Sequence, residues 1–154
     1  VRGMTLDETG DDEVIGMICI KDPEKETVMV VSEQGYGKRS EIEDYRITNR
    51  GGKGVKTLNI TEKTGNLVAI KSVTDENDLV IINKSGITLR MKVADVRIMG
   101  RATQGVRLIN LEKRNDEIAS VCKVLSETES DSSNSENIDS ASEINEAEAS
   151  ETTE

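Results

Sequence analysis

The sequence predicts an all-β protein made of propeller-like blades, each about 50 residues long with four strands. Three observations predict it. The chain repeats itself with a period of 51 residues, its apolar runs are short and β-branched between turn residues, and no window sustains the i, i+3, i+4, i+7 spacing of an amphipathic helix.

The repeat is seen by setting Val28–Val73 over Leu79–Val124 without a gap. Ten of the 46 pairs are identical: Gly35/Gly86, Arg39/Arg90, Asp44/Asp95, Arg46/Arg97, Ile47/Ile98, Arg50/Arg101, Gly54/Gly105, Val55/Val106, Asn59/Asn110 and Val73/Val124. Conservative pairs such as Val30/Ile81, Ile42/Val93 and Lys56/Arg107 keep the apolar and charge pattern between them. Val1–Leu6 runs parallel to Val55–Ile60 and Val106–Leu111, so residues 1–27 read as the end of an earlier unit with a linker, cut through by the start of the chain. Residues 28–73 then form one blade, 74–124 the last blade, and 125–154 a tail.

Within a unit, Val28–Val31 and Leu79–Ile82 are unbroken apolar runs of four, the pattern of inner strands covered on both faces. Each runs into a turn, Glu33–Gly37 or Lys84–Gly86, and a second strand is expected from near Lys38 or Ile87. Val55–Ile60 and Leu67–Ile70 are expected to pair as a hairpin across Thr61–Asn66, which contains Gly65. A single blade cannot bury its apolar faces alone, so these units need neighbours.

Composition excludes several kinds of chemistry. There is no histidine, hence no His general base, no usual catalytic triad and no His-containing zinc site. Cys19 and Cys122 lie 103 positions apart, which suits two reduced thiols better than a metal cluster or a disulfide framework. No stretch approaches the roughly 20 apolar residues of a membrane span, so no membrane partner is expected. No metal or cofactor site is expected either.

The net charge of −10 is unevenly placed. Residues 125–154 hold 10 acidic residues and no Lys or Arg; residues 28–124 hold 17 basic against 12 acidic; residues 1–27 hold 3 basic against 8 acidic. A mildly basic body thus lies between two acidic ends. The tail has two isoleucines and no other large apolar residue after Leu125, too little burial to offset the entropy of ordering, so it is expected to be disordered. It reads either as a solubilising appendage or as a polyanion competing for a basic surface.

That basic surface is where function is expected. Arg39/Arg90, Arg46/Arg97 and Arg50/Arg101 recur in register, and Lys56/Arg107 keep the charge. Cations at equivalent positions of a closed repeat make a curved basic stripe suited to a bent polyanion. Only Tyr36 and Tyr45 are aromatic, which disfavours single-strand binding by base stacking and favours sequence-independent contacts to duplex phosphates. Gly51 and Gly52, between Arg50 and Lys53, let a backbone approach a phosphate closely. They would equally serve a tight turn, and any single arginine would equally serve a solvated face beside Glu41, Glu43, Asp44 or Asp95. The run is not a P-loop: that motif needs Gly where Ile47 stands and Ser or Thr where Gly54 stands, so ATP binding is not expected.

Tyr45-Arg46-Ile47-Thr48-Asn49-Arg50-Gly51-Gly52-Lys53-Gly54-Val55-Lys56 and its partner from Val96 to Ile109 resemble the C-terminal domain of the bacterial DNA gyrase A subunit. The resemblance runs from Val1 to about Val124, and implies the last two and a half blades of a six-bladed β-pinwheel whose basic rim binds and bends double-stranded DNA. Arg50–Gly54 resembles the family's gyrase box, Gln-Arg-Arg-Gly-Gly-Lys-Gly, but Thr48 and Asn49 replace its Gln and first Arg. It is therefore read as a degenerate copy of a box lying on the first blade, upstream of Val1. The resemblance further implies a cytoplasmic, ATP-dependent type IIA topoisomerase, an A2B2 assembly with the B subunit. Tyrosine cleavage chemistry, ATP and Mg belong to other parts of that enzyme, and no catalytic residue is expected here. The A subunit of topoisomerase IV and a protein-binding propeller adaptor remain the alternatives.

Overall fold

The computed structural model describes residues 1–7, 10, 12–111 and 116–126. The expected disordered tail lies outside the described residues beyond Ser126. Seven strands are described: β1 (Thr27–Ser32), β2 (Tyr36–Glu41), β3 (Leu67–Val73), β4 (Asn77–Asn83), β5 (Thr88–Lys92), β6 (Val106–Arg107) and β7 (Ile118–Leu125). Among the described residues, two single 3₁₀ turns, Ile42–Asp44 and Val93–Asp95, are the helical segments, and none of these residues forms a helix long and apolar enough to cross a membrane.

The strands form two antiparallel sheets, β3-β1-β2-β6 and β5-β4-β7. The two central hairpins superpose in sequence. β1 pairs β2 through Val30↔Lys38, as β4 pairs β5 through Ile81↔Leu89, and both central strands carry a register shift at their ends, at Val31/Ser32 and Ile82/Asn83. The turns between them are closed by Gly35 and Gly86 at φ 78° and 85°, a region glycine enters without the steric cost that a Cβ brings.

The unbroken apolar run of β1 is explained by two-sided cover. Met29 and Val31 face Leu79, Ile81, Val93, Val96, Ile118 and Val121 in the core between the sheets. Val28 and Val30 face the other way, with Leu58 and the partly buried Ile18, Ile42, Tyr45, Leu67 and Ile70. Each such buried aliphatic side chain contributes roughly 1.5–3 kcal/mol.

The expected hairpin between Val55–Ile60 and Leu67–Ile70 does not form. Leu67–Val73 instead pairs along β1 from Leu67↔Ser32 to Val73↔Thr27. The 61–66 connection folds on itself: Thr64, fully buried, accepts from the Thr61 N–H at 2.9 Å, and the Gly65 N–H donates to the Thr61 carbonyl at 2.9 Å. In the second unit, the segment matching Val55–Lys56 is β6, which adds to the first unit's sheet through Tyr36↔Arg107 and Gly37↔Val106. The four-stranded sheet thus takes three strands from one repeat and the fourth from the next. Val55–Ile60 itself forms no strand here; Leu58 alone makes a bridge, parallel to Thr103 of the next repeat, a pairing no local pattern carries.

Candidate nucleic-acid interface

The residues leading into β6 form an arch along the edge of β2 that faces away from β1. After the 3₁₀ turn at Val93–Asp95, the arch is fastened at three places. At the first, the Met99 N–H donates to the Arg39 carbonyl (2.8 Å), the Ser40 hydroxyl donates to the Met99 carbonyl (2.8 Å), and the Lys38 ammonium donates to the Gly100 carbonyl (2.7 Å). At the second, Ala102 N–H donates to the Thr57 carbonyl (3.1 Å) and Asn59 N–H to the Thr103 carbonyl (3.0 Å). The third is β6 itself. A Cβ at Gly105 would lie 2.6 Å from the Gly37 carbonyl oxygen, so only glycine lets the arch close onto β2.

The arch of the first unit is fastened in the same way where its neighbour is present. The Gly51 N–H donates to the Gly3 carbonyl (2.9 Å) and the Thr5 N–H to the Gly52 carbonyl (3.0 Å), with the Thr5 hydroxyl adding a bond to the Gly51 carbonyl (2.7 Å). Gly51 (φ 78°) and Ala102 (φ 56°) occupy the same left-handed position, and Ala102 is the sole non-glycine residue there among the described residues. The cost to alanine, about 1–2 kcal/mol, is met by these fastenings. Gly51 therefore has a turn-and-docking role, and its N–H is already engaged. Gly52 is exposed, and its carbonyl accepts from Thr5.

The sequence-predicted cations divide into two groups. Arg46, Arg50, Lys53 and Arg97 are exposed on the arches and, among the described residues, none has an ion-pair partner. Arg101 is half-buried, stacks over the Tyr45 ring at 6.0 Å, and reaches the Lys56 carbonyl at 3.5 Å. Lys56 is exposed and donates to the Asn59 side chain at 3.0 Å. Arg107, also exposed, lies over Tyr36 at 5.5 Å and donates to its hydroxyl at 3.0 Å.

The second group is held by ion pairs within the blades, Arg39 buried and Arg90 at the surface. Arg39 has a side chain only 4% exposed, and its guanidinium donates to Thr27 Oγ1 (3.1 Å) and the Val93 carbonyl (3.1 Å) while pairing with Asp75 at 2.7 Å. It ties β2 to the next unit's 3₁₀ turn and to the connection between the sheets. Arg90 pairs with the buried carboxylate of Asp78 at 2.8 Å and reaches the Leu125 carbonyl at 3.4 Å. Hydrogen bonds from Ser126 and then Arg90 hold the Asp78 carboxyl below its usual range.

Three further residues escape a reading of the sequence alone. Lys38 is fully buried beneath the arch, and its burial lowers its pKa, opposed by nearby Asp44 and assisted by Arg101. It stands where the second unit has Leu89, so the repeat gives no hint of a buried charge. Lys63 lies 5.7 Å over the Tyr36 ring, which Arg107 also approaches. Arg2 holds the repeat position of Lys56 and Arg107, and that alignment is the signal that could have found it.

The profile of the family described as DNA gyrase C-terminal domain, beta-propeller, matches residues 26–74 and 77–122. The chain belongs to the DNA gyrase C-terminal domain family. Among its relatives, the DNA gyrase A subunit of Staphylococcus aureus strain NCTC 8325 / PS 47 is 46% identical over 136 residues, covering 88% of this chain and 15% of that protein. The same protein of strain MRSA252 is 51% identical over 111 residues, covering 72% of this chain and 12% of that protein. The chain therefore spans a small part of the length of these gyrase subunits. Among solved structures, a DNA gyrase A C-terminal domain matches with a TM-score of 0.62 at 27% identity, over 66% of this chain and 34% of that one. The C-terminal domain of a DNA topoisomerase IV matches with a TM-score of 0.73 at 21% identity, over 81% and 38%, a likeness of fold alone. The two sheets are thus blades of a gyrase-type propeller, a domain of the type IIA topoisomerases, and the arches lie along their edges.

Proposed function

We propose that this chain is part of the DNA-wrapping region of a gyrase A subunit, where it holds duplex DNA along the arches described above. The observation that carries the reading is positional: Arg46 and Arg50 on one arch, Arg97 and Arg101 on the next, recur at the same steps of two arches fastened by matching backbone bonds. Cations repeated at a fixed structural step suit the regular phosphate spacing of a duplex and need no base contact. Arg46, Arg50, Gly52, Lys53, Lys56, Arg97, Arg101 and Arg107 are the residues assigned to this contact. Arg39 and Arg90 support the blades instead, for the contacts they make are within the protein.

The chain's own part is non-covalent and uses no cofactor. In the whole enzyme, an A2B2 assembly in the cytoplasm, DNA breakage and ATP hydrolysis with Mg fall to other domains, and the wrapped segment supports ATP-dependent negative supercoiling. Identity to the gyrase subunits over 88% of the chain favours gyrase over topoisomerase IV, whose likeness is one of fold.

The test is filter binding of the full-length protein to a random-sequence duplex at two salt concentrations, with and without Ala at Arg46, Arg50, Arg97 and Arg101. The expected result is a folded variant with weaker binding and a shallower salt dependence, by about 0.9 in the slope of log K for each phosphate no longer held. An unchanged slope overturns the assignment, and salt-insensitive binding by the unaltered protein would favour an adaptor role.

A further inference from the structure

The fastening bonds place each arch on a segment of the unit before it, and in both cases a basic residue precedes the bonded carbonyl. Lys56 precedes Thr57, whose carbonyl receives the Ala102 N–H, and Arg101 directly precedes Ala102. Arg2 precedes Gly3, whose carbonyl receives the Gly51 N–H, and Arg50 directly precedes Gly51. At this seam the Arg101 guanidinium reaches the Lys56 backbone carbonyl at 3.5 Å while the Lys56 ammonium donates to the Asn59 side chain at 3.0 Å, so the two residues adjoin through the backbone. Arg2 stands to Arg50 along the backbone as Lys56 stands to Arg101. Both Arg2 and Lys56 are exposed.

We infer that the phosphate-binding sites of this rim lie at the seams between units, each made of two cations from consecutive units, and that Arg2 completes the first such site with Arg50. This rests on the reading of the rim as a duplex-binding surface and adds to it where the grips fall and which residues share one. A phosphate laid over a seam can accept from both side chains at once, because their backbones are fixed beside each other and both side chains are long, so two units share one anion. Guanidinium groups are suited to this because their planar donors match phosphate oxygens. A grip that needs two units is also complete only when the blades are stacked, which couples DNA binding to the assembly of the propeller.

The experiment compares double variants of the full-length protein, bound to a random-sequence duplex across a salt series. One pair removes a single seam (Arg2→Ala with Arg50→Ala, or Lys56→Ala with Arg101→Ala); another takes one cation from each seam (Arg2→Ala with Lys56→Ala). Lys25→Ala, an exposed lysine paired with Asp22, is the control for general charge. With one phosphate per seam, removing one seam lowers the slope by about 0.9, whereas the cross-seam pair disturbs two phosphates and lowers it by up to roughly 1.8. Arg2→Ala alone is expected to weaken low-salt binding as Lys56→Ala does, and Lys25→Ala to leave it unchanged. Equal slopes for the same-seam and cross-seam pairs would overturn the sharing, and an Arg2→Ala variant indistinguishable from Lys25→Ala would remove Arg2 from the site. If Arg50→Ala and Arg101→Ala change nothing either, the failure belongs to the rim reading itself. Thermal unfolding of each variant, expected to be unchanged, keeps a folding defect from being read as weakened binding.

Discussion

Two arginines at the same step of two repeats, Arg39 and Arg90, are held with opposite polarity. In the first unit the cation is buried (4% exposed) and its acid, Asp75, is 74% exposed; in the second the acid, Asp78, is buried (8%) and the arginine is 41% exposed. The position matching Asp78 in the first unit is Thr27, which accepts from Arg39 as a neutral hydroxyl. What differs is the neighbour. The first unit carries the next unit's 3₁₀ turn against Arg39, and the same crossing buries Lys38 against Gly100 and Ser40 against Met99. The second unit has Leu89 and Met91 at those two positions, half-buried on β5. Sequence identity between repeats therefore marks a shared place in the blade. Whether the residue faces a partner, a core or solvent depends on what the next unit lays over it.

The sharpest way to break the comparison is in the strands where the units are alike. Val30 and Ile81 are both essentially fully buried in central strands. Val30→Asp and Ile81→Asp should each cost on the order of 4 kcal/mol or more by burying an unpaired carboxylate, read as loss of a cooperative thermal transition. A large difference between them would show that one blade is held mainly by its neighbour.

Next in size is the contrast at the position of Lys38. Lys38→Met removes the ammonium that satisfies the Gly100 carbonyl and should cost about 1–3 kcal/mol. Leu89→Met keeps an apolar side chain of similar volume and should cost less than about 1.5 kcal/mol. Denaturant midpoints of the two variants measure this; equal losses would mean that the arch does not depend on the buried lysine.

The opposite polarity of the arginines predicts different acid behaviour. Asp78 has a folded-state pKa held below its unfolded value, so its stabilisation is present above the ordinary carboxylate range and is lost as the pH falls through the lower folded value. Arg90→Met removes one cause of the shift, so its destabilisation should be largest near neutral pH and shrink once Asp78 is protonated. Arg39→Met should cost a similar amount at pH 7 and at a pH below the ordinary carboxylate range, because no buried carboxylate depends on it. Melting temperatures across that range decide the matter.

The smallest expected effect concerns the acidic end. Ser126 donates its N–H to the Glu76 carbonyl at 3.0 Å and its hydroxyl to Asp78, so a truncation that spares the sheet of β4, β5 and β7 ends after Ser126. We expect removal of residues 127–154, which lie within the stretch holding 10 acidic and no basic side chains, to raise DNA affinity at low salt by relieving competition for the rim. Equal affinities at low salt for the two forms would leave the tail a solubilising role.

Much of the architecture was legible in the residues. The 51-residue offset that pairs Gly35 with Gly86 and Val30 with Ile81 is the same offset that relates β1 to β4 and one 3₁₀ turn to the other, because a local backbone conformation and a two-faced apolar run leave a direct trace in residue type. The likeness of Val1–Leu6 to Val55–Ile60 was legible too, and both segments receive the following arch through matching bonds. Three things were decided by tertiary structure. The fourth strand of the first sheet comes from the next repeat, Arg39 turns inward while Arg46 and Arg50 face solvent, and Lys38 is buried in a strand that reads as polar. In each case the deciding contact joins residues about a full repeat or more apart in the chain. Periodicity tells a segment which faces it must cover; only the packing of one unit on another settles which residue does the covering, and whether a long cationic side chain finds a carbonyl inside or is left at the surface for an anion.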